Sequence, residues 1–268
     1  MSDTPIRLVL SDVDGTLMTS VKELTKEAIR AVAQLKENDI LFSVTSSRPP
    51  LGLAMLIEQL DLTAPLGAFN GGLMVDRDMK VLHELAIADD LVRPIIEALS
   101  ASGNSVWVYQ GTDWFVLDMD GPHVAHESGV VQFHPTQRKS FDDIRSDVIK
   151  IVGVSDEPEA IAKGQSALDG FSVSATTSQT YYLDVTHLDA NKGSVVEFLA
   201  AHFSIPTSSI ATIGDMTNDV AMFQRSGYSI AMGNATADVK SHAKTSTKSN
   251  EDNGFAYAME HLVLGATP

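Results

Sequence analysis

The stretch Leu8-Val9-Leu10-Ser11-Asp12-Val13-Asp14-Gly15-Thr16-Leu17 constrains this chain more than any other. Its apolar run is too short for a helix and is bounded by a Gly-Thr turn signal, so it reads as a buried strand ending on two carboxylates. Taking carboxylates out of water is costly unless something compensates them. Side chains alternate along an extended segment, which puts Asp12 and Asp14 on one side, and Gly15 lets the backbone turn directly after them. That arrangement suits one hard divalent cation. Two solvated turn residues at a strand end are the alternative reading of an isolated Asp-x-Asp-Gly, and the rest of the chain has to decide.

Asp12-Val13-Asp14-Gly15-Thr16 resembles the first motif of the haloacid dehalogenase-like phosphohydrolases. The resemblance implies a nucleophile at Asp12 and a general acid/base at Asp14. Further along, Thr25 caps a predicted helix in which Ala28, Ile29, Val32 and Leu35 recur at helical spacing, and residues 40–44 form a second buried strand. Strand, helix and strand in this order predict a right-handed crossover in a parallel sheet, with ligands beyond the carboxyl ends of the strands. The second strand runs into Thr45-Ser46-Ser47-Arg48-Pro49. A helix N-cap explains such a run, and so does a set of hydroxyls facing a phosphoryl oxygen. The family's second motif, a Thr or Ser followed by Gly-Arg, is matched by Ser46-Ser47-Arg48 with Ser47 in place of Gly. It implies Ser46 as the phosphate contact, with Thr45 as its rival.

Residues 51–60 read as a helix and 66–69 as a short strand before Asn70-Gly71-Gly72, a turn that is similar to the Asn-Gly-Ala of the Cof-type branch of the same superfamily. Residues 73–75 and 81–84 then suggest a hairpin leaving the core. Helices over 89–100 and 157–168, with strands over 105–109, 114–117, 148–154, 171–175 and 181–185, predict a separate α+β layer on an antiparallel sheet. The expected division is a core of residues 1–82 and 188–268 and an inserted cap of residues 83–187. Trp107, Tyr109, Trp114 and Phe115 at strand spacing indicate sheet packing, with a pocket lining as the alternative. His123, His126 and His134 fall in a polar stretch over 121–140 that reads as irregular; their spacing offers no metal set, and solvated loop histidines are expected.

The core resumes at Asp189-Ala190-Asn191-Lys192-Gly193, ahead of an amphipathic helix carrying Val195, Val196, Leu199 and Phe203. A lysine in a first turn is electrostatically misplaced, because helix N-termini favour negative charge. It fits if an anion binds there, and the resemblance places the third motif's lysine at Lys192. Residues 210–213 form another buried strand, ending in Gly214-Asp215-Met216-Thr217-Asn218-Asp219. This matches the fourth motif, Gly-Asp-x-x-Asn-Asp, at every position, with Asp219 in the first turn of a helix over 217–225. A strand over 228–232, Gly233-Asn234-Ala235, a helix to residue 243 and the loop Asn250-Glu251-Asp252-Asn253-Gly254 resemble the Cof-type ending. Lys240, Lys244 and Lys248 read as solvent-facing.

With all four motifs in order, the chain is identified as resembling a Cof-type (class IIB) phosphatase of the haloacid dehalogenase-like hydrolase superfamily. The resemblance implies an α/β fold, a Rossmann-like parallel-sheet core with an inserted α+β cap. It implies Mg²⁺ held by Asp12, the backbone carbonyl of Asp14, Asp215 and Asp219, with Ser46, Lys192 and Asn218 around the phosphoryl group. The implied reaction is hydrolysis of a small phosphorylated metabolite, sugar phosphates foremost, through an aspartyl-phosphate. A phosphomutase of the phosphomannomutase type, gripping a second phosphate with Arg138, Lys139 and Arg145, is one alternative. A phospho-acceptor or sugar-phosphate binding protein without turnover is another. The net charge of −16 argues against a nucleic-acid or anionic-membrane surface, and the absence of cysteine excludes disulfides and thiolate chemistry. Residues 1–5 lack a basic start and an apolar core, and no apolar run is long enough to span a bilayer, so a cytoplasmic location is expected.

Overall fold

The computed structural model describes residues 4–265, so the expectation made for the first five residues falls largely outside the described residues. The chain divides into two compact units. One gathers the chain up to Ser47, Ala54–Lys80 and the chain from Asn191 onward, and the other Arg48–Leu53 and Val81–Ala190.

In the first unit, β1 (Leu8–Asp12) is buried at every position. The hydroxyl of Thr25 accepts the Ala28 N–H at 3.1 Å and starts α1 (Lys26–Glu37), whose buried stripe is Ala28, Ala31, Val32 and Leu35. β2 (Leu41–Thr45), α2 (Ala54–Gln59), β3 (Leu66–Ala68) and β4 (Leu73–Val75) follow. The helix expected over 51–60 is divided, because a 3-10 turn over Pro50–Leu53 precedes α2. Pro50 offers no N–H and Gly52 weakens the first turn.

The second unit runs through β5 (Val81–Glu84), α3 (Asp89–Ala101), β6 (Ser105–Gln110), β7 (Asp113–Val116), α4 (Val124–Val131), β8 (Thr136–Gln137), β9 (Val148–Val154), α5 (Pro158–Ala167), β10 (Val173–Gln179) and β11 (Tyr182–His187). The chain returns to the first unit with α6 (Lys192–Phe203), β12 (Ile210–Gly214), α7 (Val220–Arg225), β13 (Tyr228–Ala231), α8 (Ala237–Ser241), β14 (Thr245–Ser246) and α9 (Gly254–Tyr257).

The strands of the first unit lie in the order β14-β13-β12-β1-β2-β3-β4. All neighbours are parallel except β3 and β4. Leu8 and Leu10 of β1 pack with Val195, Val196 and Leu199 of α6 and Met222 of α7. On α9, Phe255 meets Phe42 edge-on with ring centroids 5.7 Å apart. β1 has β12 on one side and β2 on the other, so the chain changes direction of travel across the sheet there. The carboxyl end of β1 is therefore the switch point where open parallel sheets take ligands. The expected parallel-sheet core is what the chain forms.

The second unit is a sheet in the order β10-β11-β9-β6-β7-β8, antiparallel except for β7 and β8. Val106, Val108, Ile151, Leu183 and Val185 pack with Ile95 and Leu99 of α3 and Ile161 of α5. The alternate positions carry rings: Trp107 lies 5.0 Å from Trp114 and 5.2 Å from Tyr182, centroid to centroid. These aromatics are sheet packing.

Two local expectations are corrected. The stretch over 121–140 is not irregular, since it contains α4 and β8. α4 is bracketed by two left-handed residues, His123 (φ 61°) and Gln132 (φ 54°), and lacks a side-chain cap, so no start signal announces it. His123 is not a free loop histidine: its Nε2 lies 2.7 Å from Asp156 Oδ1 and its ring stacks on Tyr181 at 3.9 Å. The C-terminal lysines face solvent as expected, with Lys244 and Lys248 exposed and Lys240 half-buried, and their ammonium groups still find partners. Lys240 Nζ donates to the Gly233 carbonyl at 2.6 Å, Lys244 Nζ donates to the Gly227 carbonyl, and Lys248 lies over the Tyr257 ring at 4.3 Å. Among the described residues no helix is long and apolar enough to cross a membrane.

Candidate active site

β1, β12 and α6 converge on one side-chain cluster. β1 delivers Asp12 as its last residue, and β12 opens the turn that carries Asp215 and Asp219. α6 begins at Lys192, after Asn191 has capped the helix by accepting the Gly193 N–H at 3.0 Å. The misplaced first-turn lysine finds its reason here. Lys192 Nζ donates to Asp12 Oδ1 at 2.5 Å and to Asp219 Oδ1 at 2.5 Å, and its side chain is only 2% exposed. Asp219 Oδ2 in turn accepts the N–H groups of Asp215 and Met216, each at 2.8 Å, and so fixes the turn after β12. Asp215 accepts the Thr16 hydroxyl at 3.0 Å on Oδ1 and the Asn234 amide at 3.1 Å on Oδ2.

Two glycines make this convergence possible. Gly15 sits at φ +83°, and a Cβ there would lie 2.5 Å from Asp215 Oδ2. A Cβ on Gly214 would lie 2.4 Å from the Asp219 carboxyl carbon. Neither close approach tolerates a side chain.

Acidic oxygens of Asp12, Asp215 and Asp219 lie within 4.8 Å of one another. Three buried carboxylates thus share one buried ammonium. Burial pushes the Asp12 carboxyl well above the usual range, Lys192 opposes this, and Asp219 and Asp215 reinforce it. Asp215 is raised as well, by burial and by Asp219, against the Thr16 hydrogen bond. Burial disfavours the Lys192 ammonium, yet Asp12 and Asp219 outweigh it and hold the lysine more firmly charged than usual. Raised carboxyls in an all-oxygen donor set are the mark of a site short of positive charge, and a hard divalent cation such as Mg²⁺ fits that deficit.

The other expected residues fall into two groups. The strand stops at Asp12, so the Asp14 side chain does not continue its alternation into the cluster. It turns to Lys22, with Nζ to Oδ1 at 2.7 Å, and is 28% exposed. Ser46 is buried; its N–H donates to the Gly67 carbonyl at 3.0 Å and its carbonyl accepts the Asn70 N–H at 2.8 Å. Asn218 Nδ2 donates to Asn70 Oδ1 at 3.1 Å. Asn70, held at φ 55°, thereby connects Ser46 to Asn218. Thr45 stands opposite Asp12 in the register of β2 and β1, and its buried hydroxyl has no hydrogen-bond partner.

Asn70, Asn234, Lys22 and Thr16 were not singled out from sequence as site residues. The Asn-Gly and Gly-Asn-Ala turns and the threonine after Gly15 were visible signals. Lys22, at φ 63°, carried none.

The chain matches the family described as haloacid dehalogenase-like hydrolase over residues 9–259. A Haemophilus influenzae protein described as a putative phosphatase is 29% identical over 259 residues, covering 95% of this chain and 97% of that protein. A Bacillus subtilis protein named 5-amino-6-(5-phospho-D-ribitylamino)uracil phosphatase YwtE is 24% identical over 286 residues, covering 97% of this chain and 99% of its own length. Among solved structures, a haloacid dehalogenase-like hydrolase from Bacteroides thetaiotaomicron superposes with a TM-score of 0.88 at 24% identity, over 96% of this chain and 99% of that one.

Proposed function

This chain belongs to the haloacid dehalogenase-like hydrolases, and on that premise we propose that it is a Mg²⁺-dependent phosphatase hydrolysing small phosphomonoesters, sugar phosphates foremost, through an aspartyl-phosphate on Asp12. The observation that carries this is the placement of Lys192 between Asp12 and Asp219, 2.5 Å from each, beside Asp215. A carboxylate attacking a phosphate dianion meets like charge, and a buried fixed ammonium lowers that repulsion without reorganising.

In this reading Asp12, Asp215, Asp219 and the backbone carbonyl of Asp14 are the groups that would hold Mg²⁺. When bound, the ion supplies a positive centre against the phosphoryl oxygens. An Asp12 oxygen bonds to phosphorus as the ester P–O bond breaks, and Asp14 gives its proton to the leaving oxygen. Asp14, now a carboxylate, takes a proton from water, which attacks the phosphorus and frees phosphate and Asp12. The part-exposed position of Asp14 on the loop after β1 is open to both a leaving group and a water. Ser46, Asn218 and Lys192 are assigned to the transferring phosphoryl group. Residues 1–82 and 188–268 form the catalytic core in this account, and residues 83–187 the cap that selects the leaving group. A phosphorylated polyol as substrate accords with the ribitylamino phosphate in the name of the B. subtilis relative.

Release of phosphate from an aryl phosphate and a panel of sugar phosphates, with and without Mg²⁺, tests the reading. Mg²⁺-dependent release by the wild type and its loss in Asp12→Asn are expected. No release from folded, Mg²⁺-supplied wild type refutes it.

A further inference from the structure

Asp215 is held from two sides. Thr16 comes from the loop that follows β1, whereas Asn234 comes from the turn that follows β13. Asn234 Nδ2 donates one hydrogen to Asp215 Oδ2 at 3.1 Å and the other to the Gly15 carbonyl at 2.9 Å. Its Oδ1 accepts the Asn250 N–H at 3.1 Å, which fixes which end of the amide is nitrogen. Asn250 Nδ2 continues the chain to the Met18 carbonyl at 3.1 Å. Two residues later on the same loop, the Ser20 N–H donates to Glu251 Oε1 at 2.7 Å.

One neutral amide therefore spans the gap between the Asp14-Gly15 turn and the Asp215 carboxylate, and both of its hydrogens and its oxygen are used. Neutral, it does nothing to relieve the charge deficit of the cluster. What it fixes is orientation: the rotation of the Asp215 carboxylate and its distance from the backbone that carries Asp14. A short-range bridge suits this place because Gly15, at a φ of +83° that side-chain-bearing residues rarely adopt, leaves that loop without a side chain to set the spacing. We infer that Asn234 is a positioning residue for the divalent-cation site, acting through Asp215 and the Asp14-Gly15 turn, braced from behind by Asn250. This rests on the Mg²⁺-phosphatase reading above. Partners of this kind around metal-binding carboxylates typically change metal affinity or activity by about 10–100-fold when removed.

Asn234 is exposed, so truncating it spares the core. The test compares the wild type, Asn234→Ala and Asn234→Ser. Mg²⁺ binding is read from the Mg²⁺-induced rise in melting temperature, and phosphate release is read over a range of Mg²⁺. Asn234→Ala is expected to melt like the wild type in EDTA and to bind Mg²⁺ about 10–100-fold more weakly. Its kcat should recover at high Mg²⁺ with little change in KM. Mg²⁺ affinity within twofold of wild type overturns the inference, as does a loss of activity that excess Mg²⁺ does not rescue. If Asn234→Ala melts below the wild type in EDTA, Asn234→Ser is read by the same criteria. An inactive wild type sinks the phosphatase reading itself, which the Mg²⁺-binding measurement does not depend on.

Discussion

Replacing Lys192 by methionine removes the only buried cation among the described residues of the carboxylate cluster while keeping most of the side chain's volume. Two hydrogen bonds to ionised partners vanish, Asp12 and Asp219 at 2.5 Å each, and each such bond contributes about 1.5–3 kcal/mol. Part of this is offset because methionine does not have to be desolvated as a charge. The expected net loss is about 3–5 kcal/mol, as for other buried pairs that lose one member. In a domain of this size that is a fall in melting temperature of roughly 6–20 °C. The sign of the pH dependence follows from Asp12, whose carboxyl burial already raises and Lys192 pulls back. Lysine stabilises the ionised carboxylates only, so the deficit of Lys192→Met is full at alkaline pH and shrinks as pH falls through the raised Asp12 range. Melting in EDTA from about pH 8 towards about pH 4, the usual carboxylate range, measures this directly. A loss under about 1 kcal/mol at pH 8, or one that does not shrink on acidification, would refute the charge balance deduced for the site.

Asp12→Asn keeps an acceptor for Lys192 but removes a charge the fold holds at a disadvantage. In EDTA it should melt above the wild type at alkaline pH, and the gap should close as pH falls and the wild-type carboxyl protonates. Gly15→Ala places a Cβ 2.5 Å from Asp215 Oδ2 at φ +83°; steady-state kinetics should show kcat down by about 10²-fold or more, as expected for a displacement near 1 Å, with the circular dichroism spectrum unchanged. In the second unit, Lys150 and Asp184 form an ion pair at 2.8 Å with side chains 11% and 8% exposed. Lys150→Met should lose about 3–5 kcal/mol in urea unfolding, and the added Asp184→Asn change should restore part of it.

Much of this molecule could be read from its sequence where one local pattern fixes one local structure. The apolar run into Asp12, the Thr25 cap and the Gly214 to Asp219 turn all became the elements their patterns predict. Lys192 was legible as a misfit, since a helix start that carries a cation needs an anion nearby. What escaped depends on partners distant in the chain or on unusual backbone. Nothing local pairs Asn70 with Asn218, which are 148 positions apart, or Asn234 with Gly15, 219 apart. The Lys22 ion pair to Asp14 needs a left-handed residue that is not glycine. α4 was missed because its apolar residues, Val124, Val130 and Val131, are interrupted by Ser-Gly and no cap precedes them. The Asp14 side chain lies outside the acidic set of Asp12, Asp215 and Asp219 because strand alternation holds only while the strand lasts, and this one ends at Asp12.

The central claim is that Asp12 attacks phosphorus. Mixing enzyme, Mg²⁺ and an aryl phosphate, quenching in acid within the first turnover and reducing with borohydride converts an acyl phosphate to the alcohol. Peptide mass spectrometry should then find homoserine at position 12 and aspartate at position 14. Aspartate intact at position 12 while phosphate is released, or homoserine at another carboxylate, would contradict it.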